Sequence, residues 1–242
     1  RRKRPQSMGA YDYTMRALSH VWLLEKEEAD LALDLLNKAL EITPEYPLAL
    51  ALAAWCHAQK SVYNWADDLA QARATALSLA EEAANISAED PLVLTVLGTV
   101  HTFARNFGAA RVLLERAVAI DSNAAWAYSR LGWLSTYADR PEEAQTYFEK
   151  SLRLSPVDPM NFNNYVGKAS AFQVAGDDDA ASGFFQRALD AGREQEARES
   201  FRIMTKAYPD LTVKRYKDAM VFSPQVLARI GTQLAELGLP EE

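Results

Sequence analysis

The sequence has little of several features that would restrict its class. Its one cysteine, Cys56, cannot form a disulfide within the chain. Ten glycines and ten prolines among 242 residues exclude collagen-like and low-complexity proteins. The longest apolar run, residues 47–56, has roughly half the length of a membrane-spanning helix, so we expect no membrane contact by this segment. With 33 acidic and 26 basic residues the net charge is −7, which disfavours nucleic acid as a partner.

The residues that are abundant favour helices. The chain contains 41 alanines and 29 leucines, and both types lose little side-chain freedom in a helix. The sequence therefore predicts an all-α fold. The basic start, residues 1–5, lacks the apolar stretch that would make it a signal peptide, because Asp12 and Arg16 follow. We interpret residues 1–9 as a linker from an upstream domain.

One spaced pattern recurs along the chain. The pattern has a small residue at position i, a large residue at i+4, a second small residue at i+7 and often proline at i+12. Ala32, Leu36, Ala39 and Pro44 are its first copy. The first five copies are 44, 34, 34 and 37 residues apart, which is typical of a helical repeat. The six copies begin at Ala32, Ala76, Ala110, Ala144, Ala181 and Ala197.

The spacing has a physical reason. Small residues at i and i+7 lie on one face of a helix and let a partner helix approach closely. Another small residue stands twelve positions earlier, in the first helix of the pair, at Gly98, Gly132 and Ala169, while Ala17 and Ala54 need loops longer by three and ten residues. We expect these residues to be buried at helix contacts: Ala76, Ala83, Ala110, Ala117, Ala144 and Ala181.

The sixth copy follows the fifth by only 16 residues, 18 short of a full repeat. A second helix without its partner would expose apolar surface. We therefore expect that the molecule contains a further helix that is missing from this sequence near Ala191–Gly192. After Pro209, a helix that starts at Ser223 and ends before Gly238 has the pattern of a terminal cap.

These motifs resemble the tetratricopeptide repeat family over about residues 10–210. The resemblance implies an α-solenoid, a right-handed superhelix of helix hairpins, with five full repeats, a partial sixth and a C-terminal capping helix. The expected organisation is a linker at 1–9, the solenoid at 10–209 and a helical cap at 210–242.

Shorter stretches resemble the C-terminal region of bacterial class III adenylate or guanylate cyclases, and of related winged-helix transmembrane regulators. They are residues 2–5, 10–12, 53–56, 154–159 and 235–240. The resemblance implies a sensory or docking module joined to a separate output domain. No catalytic residue is transferred, because the cyclase domain is not in this sequence.

In the tetratricopeptide family, many first-helix positions face a concave groove. Aromatic residues there would hold an extended peptide or a helix, from a partner or from a second copy of the chain; the alternative is that several only pack between helices. Arg130 would anchor a carboxylate. The lysine-type clamp positions carry Ala51, Thr95 and Ser129, which disfavours an acidic chaperone tail as the ligand. The predicted groove residues are Tyr11, Trp22, Trp55, Phe103, Trp126, Arg130, Trp133 and Tyr137.

Other candidates have structural interpretations. The histidines His20, His57 and His101 fall at one register position, where we expect semi-buried packing rather than a metal site and leave a pH role open. The acidic run 177–179 is expected to start a helix. Trp65, in the long insertion Lys60–Gln71, either recognises a partner or folds back onto the repeats.

The sequence contains no phosphate loop, nucleophile elbow or paired-cysteine motif. We therefore expect no enzyme activity and no cofactor in this chain, and a protein or peptide as its partner. The alternatives are an active site in the groove and a segment that only forms oligomers. The expected location is the cytoplasm, or the periplasm if a transmembrane helix precedes the chain.

Overall fold

A computed structural model describes residues 8–158 and 160–177, together with the single residues 180, 214, 227, 228 and 232. The chain divides after Ser122 into two compact units. The described residues form nine α-helices and no strand, which confirms the all-α prediction for this part of the chain.

The first unit contains three helix hairpins. Within it α1 packs on α2, α3 on α4 and α5 on α6, and the hairpins stack through α2 on α3 and through α3 and α4 on α5. The helices are α1 (Met8–Val21), α2 (Lys26–Ile42), α3 (Pro47–Val62), α4 (Leu69–Ile86), α5 (Pro91–Phe103) and α6 (Phe107–Ile120).

The second unit contains one described hairpin and one further helix. They are α7 (Ala125–Tyr137), α8 (Pro141–Leu154) and α9 (Asn161–Ala175), and α8 packs on both α7 and α9. Apart from the single residues named above, three segments lie outside the described residues: the second helix of the fifth repeat, the sixth repeat with Ala191–Gly192, and the cap from Ser223.

The predicted small residues lie where the helices meet. Each of these five alanines has no exposed surface: Ala76, Ala83, Ala110, Ala117 and Ala144. The prediction is confirmed for them, whereas Ala181 lies outside the described residues. Proline at the first turn starts α3, α5 and α8, and the Asp90 carboxylate accepts the N–H of Leu92 at 2.8 Å before α5.

The insertion in the second repeat differs from the prediction of a long loop. The connection between α3 and α4 is only residues 63–68, and most of the extra residues lengthen the helices instead. The α3 helix has 16 residues against 13 in α5 and in α7, and α4 has 18 against 14 in α6 and in α8. The α4 helix starts one turn earlier because the side chain of Asp68 accepts the backbone N–H of Gln71 and caps this end.

A left-handed residue marks the turn inside each hairpin. Leu24, Asn64, Arg105 and Asp139 have φ of 55°, 61°, 61° and 60°, and each lies in the connection between the two helices of its hairpin. Gly176, with φ of 82°, occupies the same place after α9. The repeat thus recurs in the backbone as well as in the sequence pattern.

None of the helices in the described part of the chain is long and apolar enough to span a membrane.

Candidate partner-binding surface

The second unit brings together a compact group of polar and aromatic side chains on α7 and α9. Arg130 lies on α7 and is 7% exposed. Its Nη2 donates to Oδ1 of Asn163 on α9 at 2.6 Å and to the Ser129 hydroxyl at 3.3 Å. The guanidinium carbon lies 5.9 Å from the centre of the Trp126 ring. These contacts hold the planar guanidinium in one orientation.

The two tryptophans of α7 have different surroundings. Trp126 is half-buried, with its indole Nε1 enclosed. Trp133 is 9% exposed and packs edge-on against the fully buried Phe148, with ring centres 5.9 Å apart. Its indole Nε1–H donates to Oδ1 of Asn163 at 2.9 Å. The geometry gives Trp133 a positioning contact and leaves Trp126 as the more accessible ring.

Asn163 is the residue of this group that the sequence analysis missed. Its Oδ1 accepts from both Arg130 and Trp133 and so joins α9 to α7. It stands six residues before Ala169, as Trp126 stands six before Gly132. The shared repeat position was therefore the signal that would have found it.

Tyr137, the last predicted residue of α7, is also mostly buried. It is 8% exposed, and its ring centre lies 5.4 Å from that of Trp133. In the structure it supports Trp133. The accessible part of the surface therefore consists of Trp126 and Asn163, with the buried guanidinium of Arg130 between them. We call this group of three residues the α7–α9 surface.

The predicted groove residues of the first unit divide in the same way. Trp55 on α3 and Phe103 on α5 are buried and stacked, with ring centres 6.1 Å apart. Trp22 was expected on a first helix, but α1 ends at Val21 and Trp22 begins the turn that follows. It is half-buried there, and Tyr11 on α1 is exposed. A partner cannot reach Trp55 or Phe103 in this conformation.

The three histidines are semi-buried, as expected. The Nδ1 of His20 lies 2.5 Å from the carboxylate of Glu28 on α2. Burial lowers the pKa of His57, and the charge of Lys60 adds to this effect, while burial lowers the pKa of His101. Nothing in the described residues brings three or more His, Cys, Asp or Glu side chains together as a metal site would require.

Two remaining candidates are also placed by the structure. Trp65 packs within its own turn, since its ring centre lies 5.0 Å from that of Tyr63 and its backbone N–H donates to the carbonyl of Lys60. It is half-buried there. Asp177 accepts the N–H of Ala180 at 3.0 Å, as the start of a helix requires. Burial raises the pKa of Cys56 to about 12, so its thiol is not a reactive one.

Comparison with known families identifies the hairpin that carries most of this surface. The family model described as tetratricopeptide repeat matches residues 125–158. These residues form a tetratricopeptide repeat. In it Gly132, Ala144 and Phe148 occupy the small and large packing positions that the spacing predicted.

Solved structures share the tetratricopeptide fold. A thermophilic TPR protein of Thermus thermophilus is 15% identical with a TM-score of 0.62, over 81% of this chain and 97% of that one. PilF of Pseudomonas aeruginosa is 20% identical with a TM-score of 0.52, over 87% and 96%. At this identity the likeness shows the fold alone. No protein of curated function is similar in sequence to this chain.

Proposed function

We propose that the chain is a non-catalytic tetratricopeptide module that binds a protein or peptide partner. The observation that carries the proposal is the α7–α9 surface, where Arg130 lies between the ring of Trp126 and the amide of Asn163. A large, rigid aromatic beside an oriented guanidinium is typical of binding surfaces, because it offers contact area and directed donors at a low cost in entropy.

The chemistry of the surface favours an extended peptide or a helix with an apolar side chain near a carboxylate. The apolar group would pack on Trp126, and the carboxylate would accept a hydrogen bond from the amide of the half-buried Asn163, next to the positive charge of the buried Arg130. Because Arg130 is already held in place, binding need not order a long side chain.

Selection from a random peptide library displayed on phage tests this function. The bait is the whole chain, and Trp126→Ala serves as counter-bait. The proposal expects recurrent peptides that bind the parent and fail to bind the variant. A selection that returns no recurrent peptide, or only peptides that bind both baits equally, contradicts it.

We further propose that this module belongs to a bacterial signalling protein, as the docking or sensor part of an adenylate or guanylate cyclase. The support is the resemblance of residues 53–56 and 154–159 to the C-terminal region of class III cyclases. The winged-helix regulators that carry a similar region are the second candidate. A cytoplasmic location and the absence of a cofactor belong to the same proposal.

The coding sequence upstream of Arg1 tests this part separately. A class III cyclase domain there supports the cyclase assignment, and a winged-helix domain supports the regulator instead. Any other upstream sequence contradicts both assignments while leaving the peptide-binding proposal intact. Sedimentation of the chain alone tests the alternative that it only forms oligomers: a monomer that binds the selected peptides rules this alternative out.

A further inference from the structure

Two turns of the first unit emerge side by side. One is the turn after α1, residues 22–25, and the other connects α3 to α4, residues 63–68. The side chain of Gln59 near the end of α3 donates to the carbonyl of Val21, the last residue of α1, at 3.2 Å in the buried interior. Lys60 also pairs with Asp30 near the start of α2. These two contacts fix the ends of the hairpins against each other.

Aromatic and apolar side chains are accessible on both turns. Leu23 and Tyr63 are exposed, and Trp22 and Trp65 are half-buried. The rings of Tyr63 and Trp65 pack together, and the backbone N–H of Trp65 donates to the carbonyl of Lys60. Because α3 and α4 are longer than the helices of the neighbouring hairpin, the sequence of the second repeat builds this aromatic turn at the end of an extended hairpin.

The same place carries a strong negative charge. Residues 22–30 and 63–68 contain six acidic residues and a single basic one, Lys26. Of the acidic residues, Glu25, Glu27, Asp67 and Asp68 are exposed. The remaining two have partners within the fold, since Glu28 contacts the His20 ring and Asp30 pairs with Lys60. The exposed carboxylates thus lie on the same two turns as the accessible aromatic side chains and at the adjoining start of α2.

We propose that this aromatic-acidic edge, residues 22–30 and 63–68, binds a lysine- and arginine-rich segment of a partner protein. Guanidinium and ammonium groups are attracted to the faces of Trp and Tyr rings and form charge-assisted hydrogen bonds with carboxylates. A surface that offers both groups fits a basic segment and repels an acidic one. The edge consists of other residues than the α7–α9 surface. It would bind positively charged groups, whereas the α7–α9 surface would bind a negatively charged carboxylate.

Fluorescence anisotropy with a labelled ten-residue peptide of alternating Arg and Ala tests this proposal on the whole chain. The test variant is Glu27→Lys with Asp67→Lys. The matched control is Glu41→Lys with Glu45→Lys, which makes the same change in net charge at exposed positions near the other end of α2 and in the turn after it. Circular dichroism checks that both variants remain folded.

The proposal expects the parent to bind the Arg peptide and not the same peptide with Gln in place of Arg. The dissociation constant should rise about fivefold or more in the test variant. The dissociation constant should change less than twofold in the control variant. Trp126→Ala, in the other unit, should leave the dissociation constant of the Arg peptide unchanged. Equal weakening in the test and control variants would show attraction by net charge alone and would overturn the proposal.

The indole N–H resonances of the tryptophans locate the bound peptide by NMR. Shifts of the Trp22 and Trp65 signals support the edge, whereas shifts confined to Trp126 and Trp133 overturn it. Sedimentation tests whether a second copy of the chain occupies the edge. If the parent dimerises and the test variant does not, the proposal of a separate partner protein is overturned.

Discussion

The ring of Phe148 lies so close to Gly167 that a Cβ at position 167 would be 2.2 Å from Cζ of the ring. Phe148 is fully buried on α8. On the other side a Cβ at Gly132 of α7 would be 2.7 Å from Cε1 of the same ring. The contact between α7, α8 and α9 therefore depends on two helix positions without side chains.

We predict that Gly167→Ala destabilises the chain even though alanine favours helices. The added methyl group must displace a buried ring, and overpacking of this kind costs about 1–3 kcal/mol, against a gain in helix propensity of about 1 kcal/mol. The expected result is a lower free energy of unfolding in urea. The displaced ring would also shift α9, move Asn163 relative to Arg130 and so weaken binding at the α7–α9 surface.

Gly108 on α6 supplies the matched control. A Cβ there would meet nothing within 4 Å, so Gly108→Ala should stabilise the chain by up to about 1 kcal/mol through helix propensity alone. If Gly167→Ala is stabilising to the same extent, the close packing of Phe148 is contradicted.

A second prediction concerns the left-handed turn residue Arg105. A side chain in this conformation costs about 1–2 kcal/mol relative to glycine, and Arg105 is exposed with φ of 61°. Arg105→Gly should therefore raise the melting temperature, while Arg105→Ala, which keeps the strain, should not. A glycine variant that melts below the alanine variant would count against this backbone.

A third prediction tests the repeat register at Ala110. This residue has no exposed surface and lies on the side of α6 that faces Gly98 of α5. Ala110→Leu should overpack this contact at a cost of about 1–3 kcal/mol. Ala70→Leu, at an exposed position of α4, should leave the melting temperature almost unchanged. Equal melting temperatures for the parent and Ala110→Leu would contradict the register.

The repeat phase was predictable because helix contacts are encoded locally. Two helices approach closely only where both carry small side chains. Small residues are therefore required at corresponding positions of each repeat, as at Ala76, Ala110 and Ala144. The same reasoning predicted semi-buried histidines and the helix start at Asp177. These are properties of single helices and of their nearest neighbours.

The accessibility of the aromatic residues was not predictable in this way. Whether Trp55 or Trp126 meets solvent depends on contacts far along the chain, and the sequence pattern does not distinguish them. The partner of Arg130 is Asn163, 33 residues away. The end of α1 before Trp22 and the lengthening of α3 and α4 also escaped the pattern, because helix ends depend on individual capping contacts.

A fourth prediction follows from His57. Burial lowers the pKa of this histidine below its usual 6.5, so the folded chain binds fewer protons than the unfolded chain as the pH falls through that value. Stability is therefore lost on acidification. His57→Gln removes this contribution, and its free energy of unfolding should fall less than that of the parent between about pH 7.5 and pH 5.5. An equal fall in both proteins would contradict the prediction.

The affinity of a library-selected peptide for the parent and for Trp126→Ala shows whether the α7–α9 surface binds the partner. Trp126 is the accessible ring beside Arg130, and loss of a central aromatic anchor costs on the order of 2 kcal/mol, or roughly a thirtyfold rise in the dissociation constant. Val112→Ala, at an exposed position of α6 in the other unit, is the control and should bind like the parent. We expect weak binding by Trp126→Ala alone; equal affinity of all three proteins would mean that the α7–α9 surface does not bind the peptide.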